Sequence, residues 1–91
     1  MLKGSERMII TLETIEDVKK AIANKMIDKE KYVCLIADDN TVAIKPIVST
    51  RGKDIFVIQK VHKDDVVEIK EMFSKSMYVR AITFREDNYQ P

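Results

Sequence analysis

Cysteine and histidine occur once each in this chain, and glycine and proline only twice each. Each scarcity removes a class of chemistry. Cys34 has no second cysteine with which to form an internal disulfide, which suits a reducing compartment. With Cys34 and His62 as the whole supply of thiol and imidazole, zinc and similar metal sites are left almost without ligands. Gly4 and Gly52 are too few and too far apart to make a phosphate-cradling loop, and no serine stands in a nucleophile-elbow setting. The expectation is a non-catalytic protein without metal or cofactor. Long apolar runs are missing too: nothing approaches the roughly 18 residues of a membrane span, and the opening MLKGSERM lacks the apolar segment of a signal peptide. A cytoplasmic protein with no membrane partner is expected. Net charge is also nearly absent, with 16 Lys and Arg against 15 Asp and Glu, so attraction to a polyanion has to come from the arrangement of charge, not from its total.

What remains is ordinary globular material, 45% hydrophobic and 34% charged over 91 residues, enough for one core. Residues 1–91 are expected to form a single domain, with 1–6 and 86–91 as tails. RMIITL (7–12) reads as a first strand. Thr14 is then an N-cap, Glu16 and Asp17 occupy the first turn where the helix dipole favours anions, and Ile15, Val18, Ile22 and Met26 recur at helical spacing. Three β-rich runs follow, 32–37, 41–48 and 55–61, separated by the turn signals Asp38-Asp39-Asn40 and Arg51-Gly52. Asp64 and Asp65 open a second helix with Val66, Ile69 and Phe73 on one face and Lys75 near its end, and a last strand runs from Met77 to about Phe84. The predicted fold class is α+β: a two-layer sandwich in the order β-α-β-β-β-α-β, with a mixed sheet of about five strands carrying both helices on one face.

The stretch YVCLIADDN (32–40) resembles the start of a response-regulator receiver domain, where an apolar strand ending in paired aspartates holds magnesium. The likeness covers Val33 to Asp39. A receiver continues into a helix, whereas 41–48 alternates like a strand, and Asp38, Asp39 and Asn40 are the residues of a tight hairpin turn. The turn is the expected role. The α-β-β-β-α portion is similar in element order to the double-stranded-RNA-binding domain. That family carries a basic cluster at the start of its second helix, where this chain has Asp64, Asp65 and Glu68, so its function is not carried over. Cys34, inside a strand, is expected to act as a small buried hydrophobe, and His62, at an element boundary, as a capping or solvated residue.

Side-chain alternation assigns faces if each hairpin loop has an even number of residues. Val33, Leu35, Ala37, Val42, Ile44, Val48, Ile55 and Val57 then lie beneath the helices, joined by Met8, Ile10, Leu12, Val79 and Ala81 from the outer strands. Tyr32, Ile47 and Phe56 align in a row on the opposite, uncovered face. The expected partner-binding residues on that face are Tyr32, Lys45, Ile47, Phe56, Ile58, Lys60, Tyr78, Arg80 and Phe84. An apolar patch of this size calls for a cover. Two readings compete: a homodimeric or protein-binding regulatory module, formed by stacked sheets or paired outer strands, and a single-stranded nucleic-acid platform. In the second, Tyr32, Phe56, Tyr78 or Phe84 stack bases while Lys45, Lys60 and Arg80 hold phosphates. That arrangement resembles the sheet of an RNA-recognition motif, without its glycine-spaced signature.

Overall fold

The computed structural model describes residues 9–48 and 55–82. Seven elements follow one another: β1 (Ile9–Leu12), α1 (Ile15–Ala23), β2 (Tyr32–Ala37), β3 (Val42–Pro46), β4 (Ile55–Ile58), α2 (Lys63–Met72) and β5 (Lys75–Val79). They make an α+β fold with a five-stranded mixed sheet in the order β1-β4-β3-β2-β5. The three middle strands form the antiparallel meander expected from the sequence, and β1 and β5 add parallel at its two edges, beside β4 and β2. Each helix therefore carries the chain across two intervening strands, from β1 to β2 and from β4 to β5. No described helix is long and apolar enough to cross a membrane. The proposed tails 1–6 and 86–91, Met8 and the Arg51-Gly52 turn lie outside the described residues.

Local chemistry explains where the helices begin and end. Thr14 is the N-cap of α1, and the Asp17 carboxylate accepts from the backbone N–H groups of Glu13 (3.0 Å) and Thr14 (3.1 Å), closing the donors a helix start leaves open. The same two bonds hold the Asp17 carboxyl below its ordinary range. α1 stops earlier than its apolar spacing implied. Lys25 turns into the left-handed region at φ 62, and the N–H groups of Met26 and Ile27 fold back to the Ala21 carbonyl. Met26 is thereby exposed, and Ile27 takes the core position instead. Val66 and Ile69 of α2, and Phe73 at its C-cap, lie in the core as their spacing predicts. Lys75 is not at the helix end; it opens β5, which starts two residues before Met77 and stops at Val79.

The core lies between the helices and one face of the sheet, to which β1 and β3 turn the side chains expected and β2 and β4 turn the opposite ones. Cys34, Ile36, Val42, Ile44, Phe56 and Ile58 pack with Val18, Ala21, Val66 and Ile69, joined by Ile10 and Leu12 from β1. Tyr32 is in the same layer, and its hydroxyl reaches the Met26 carbonyl just past α1 (3.4 Å), giving the buried ring a polar outlet. The inversion has a geometric cause. Asn40 N–H donates to the Ala37 carbonyl and Ala37 N–H to the Thr41 carbonyl, so the loop 38–40 has odd length, with Asn40 at φ 66. Cys34 faces Ile44 and Ile36 faces Val42 in the register. Across the second hairpin Val42 faces Ile58 and Ile44 faces Phe56, again an odd connection. An odd loop moves every side chain of the neighbouring strand to the other face relative to an even one. Val42 and Ile44 lie under the helices as expected, whereas Val33, Leu35, Ala37, Ile55 and Val57 lie on the far side.

Candidate interaction surface

The nine expected partner-binding residues do not form one surface. Tyr32, Phe56 and Ile58 are buried in the helix-side core, so neither ring is accessible to a base or to a second sheet. Tyr32 pairs with Pro46, not Ile47, and Phe56 pairs with Ile44, which breaks the proposed row. Ile47 lies just past β3, partly exposed, and its N–H donates to the Lys31 carbonyl. Lys60 follows β4 in an exposed bend at φ 57, beside the β2–β3 turn through the Val61 N–H to Asn40 carbonyl bond. Lys45 does occupy the far face, half-buried opposite Val33. Arg80 is exposed directly after β5, and Phe84 lies outside the described residues.

The far face is apolar without being open throughout. Val33, Ala37, Ala43, Ile55 and Val57 belong to it and are buried, although no described helix lies on that side. Exposure instead concentrates toward the two edge strands, at Ile9 on β1 and most of all along β5.

β5 pairs with β2 on one side and, among the described residues, with nothing on the other. Its register aligns Leu35 with Met77 and Ile36 with Tyr78. Met77 therefore points to the far face and Tyr78 to the helix side, correcting the sequence-based placement of Tyr78 on the uncovered face and of Val79 beneath the helices. Both are mostly in solvent, Met77 at 56% and Tyr78 at 68% of full exposure. The Tyr78 ring is held from above by α2: Lys70 Nζ donates to its hydroxyl at 3.1 Å and sits 4.8 Å from the ring centre. Val67, one turn before Lys70, adds a further exposed apolar group on α2. Sequence reasoning missed Ser76 because it began the strand at Met77 and read Lys75 as a helix end, and it left Met77 off the surface because it phased the strand with Tyr78 on the uncovered face.

Other chemistry is sparse. Cys34 is fully buried, and loss of solvation pushes its thiol up to about 12. Asp38, Asp39 and Asn40 form the expected turn, in which Asp39 accepts from the Thr41 N–H at 3.0 Å; that bond keeps the Asp39 carboxyl below its ordinary range. His62 is the exposed N-cap residue of α2. Among the described residues no three His, Cys, Asp or Glu side chains gather into a metal-binding group. A shallow groove of about 410 Å³ runs between the helices, lined by Lys19, Ile22, Lys29, Glu68, Glu71 and Met72. The Lys19–Glu68 ion pair (2.7 Å) lies in that groove, joining the two helices.

Compared with protein-family models, with curated proteins and with solved structures, the chain finds no match in any of the three.

Proposed function

We propose that this chain is a non-catalytic protein-interaction module that works as a homodimer, and that the contact runs along the β5 edge of the sheet. One observation carries the reading: an edge strand whose outer side has no strand partner among the described residues exposes apolar side chains on both of its faces, Met77 on one and Tyr78 on the other. Natural sheets usually blunt their edges with charge, proline, a bulge or a covering segment, because a bare row of N–H and C=O groups templates another strand. β5 has the sequence KSMYV, so its only charge is at the first residue, and no proline interrupts it. Burial of Tyr32 and Phe56 removes two of the four rings proposed for a nucleic-acid platform, which favours the protein-association reading.

The test is sedimentation equilibrium of the full chain from micromolar to near-millimolar concentration. Wild type is expected to move from the 10.5 kDa chain mass toward twice that value, with little dependence on salt. Met77→Lys and Tyr78→Lys are each expected to remain monomeric and folded. A wild-type chain that stays monomeric across the range refutes the proposal, as does a dimer that both substitutions leave intact.

A further inference from the structure

We infer a specific geometry for this association, resting on the reading above: two copies pair β5 with β5 antiparallel about a two-fold axis normal to the sheet and passing by Met77. The two five-stranded sheets become one continuous sheet, and the axis keeps all the helices on the same side of it.

The residues of the strand select this register. In a two-fold pair normal to the sheet, partners across the junction share a face, so the axis passes beside a residue. Placing it at Met77 uses all of Lys75–Val79; moving it to Ser76 or Tyr78 leaves strand residues unpaired. With Met77 at the centre, the two Met77 side chains meet on the far face, where flexible thioethers adapt to each other. On the helix side each Tyr78 stands opposite the partner's Ser76, a large ring over a small residue, and the Lys70 contact already fixes that ring (3.1 Å to its hydroxyl). Lys75 stands opposite the partner's Val79, so no like charges face one another directly, as they must not in a stable cross-strand pair. Centring on Tyr78 instead sets the two rings against each other and Ser76 against the partner's Arg80. A junction of one short strand is at the small end of specific interfaces, which makes the dimer a concentration-dependent one.

Directed disulfide formation reads the register. The native Cys34 is fully buried, so the wild-type chain is the unreactive control. Residues directly opposite in an antiparallel pair have Cβ atoms about 4.5–5.5 Å apart, close to what a disulfide spans. Under mild oxidation Met77→Cys is expected to form a covalent dimer at least tenfold faster than wild type. Lys75→Cys alone is expected to stay uncrosslinked, because its own copy lies four residues away across the junction, while an equal mixture of Lys75→Cys and Val79→Cys crosslinks. Circular dichroism of each variant confirms that it is folded. If sedimentation shows a dimer but neither Met77→Cys nor the mixture crosslinks, this register is wrong and self-association stands. If the chain is monomeric, both fall together.

Discussion

Lys70 on α2 and Tyr78 on β5 hold each other across the two layers: the ammonium lies 3.1 Å from the phenol oxygen and 4.8 Å from the ring centre. The pair ties the second helix to the edge strand that follows it. Both partners are accessible to water, so the coupling is modest, about 0.5–1 kcal/mol by the usual worth of an exposed cation–π contact. A double-mutant cycle of Lys70→Met and Tyr78→Leu, followed by urea unfolding at low protein concentration, is expected to return that coupling. A value near zero removes the argument that the ring is preset for a partner.

The inverted faces give a second prediction. Phe56 is 1% exposed beneath the helices, whereas Ile47 is 38% exposed beyond the end of β3. Removing a buried ring costs the lost transfer energy and the cavity it leaves, so Phe56→Ala is expected to lower unfolding stability by about 3–5 kcal/mol. Ile47→Ala removes a half-solvated group and is expected to cost under about 1 kcal/mol. Equal effects, measured by urea unfolding, contradict this placement of the core.

The element order was legible from residue patterns because its signals are local: Thr14 before an apolar-periodic run, Asp38-Asp39-Asn40 between two β-rich runs, and Val66, Ile69 and Phe73 at helical spacing. The facing of β1 and β3 was read correctly, but that of β2 and β4 was not legible, for two physical reasons. β2 reads YVCLIA and β4 reads IFVI, apolar on both faces, so alternation offers no contrast by which to tell inside from outside. The decision then passes to loop parity, and that parity depends on Asn40 adopting φ 66. An asparagine at the third loop position, following two aspartates, was the available clue, since three-residue hairpin loops place a left-handed residue there. The candidate interface moved for a related reason. Reading Lys75 as a helix end cut Lys75 and Ser76 from the start of β5, and phasing the strand with Tyr78 on the uncovered face left Met77 off the candidate surface.

Cys34 makes the alkaline stability of the fold depend on its thiol. Burial raises that thiol from an ordinary value of 9.0 to about 12, so between those limits the folded state holds a proton that the unfolded state releases. Stability from this source is fully present below pH 9.0 and is lost as pH rises toward 12. Cys34→Ala is expected to flatten this part of the pH profile relative to wild type, although it is less stable at neutral pH. In native buffer near pH 8 a disulfide reagent is expected to label wild type far more slowly than it does in denaturant. Rapid native labelling contradicts the burial of the thiol.

Among the described residues, three that bear side chains occupy left-handed backbone: Lys25 at φ 62, Asn40 at φ 66 and Lys60 at φ 57. Asparagine tolerates that region and lysine does so only at a cost of about 1–2 kcal/mol. Lys25→Gly and Lys60→Gly are therefore expected to leave stability unchanged or raise it by up to about 1 kcal/mol, the relief offset by a freer unfolded chain. Asn40→Val is expected to destabilise by more than about 1 kcal/mol, because a β-branched side chain clashes there. Thermal unfolding of the three variants separates these outcomes, and a destabilised Lys60→Gly argues against the backbone described at that bend.

Asp17 ties helix start to pH in the opposite sense from Cys34. Its carboxylate accepts two backbone N–H bonds, from Glu13 and Thr14, and its pKa is held below the ordinary 3.8 chiefly by the Glu13 bond and then by the Thr14 bond. The folded state therefore prefers the ionised form. The contribution is present above pH 3.8 and is lost as pH falls through the lower folded value. Asp17→Ala is expected to lower the midpoint of thermal unfolding at pH 7, and the gap from wild type is expected to close as the buffer is taken to the acid side of the carboxylate range. Asp17→Asn, which keeps an acceptor oxygen without the charge, is expected to fall between the two at neutral pH. A gap that persists unchanged into acid assigns the effect to side-chain packing and not to the ionised cap.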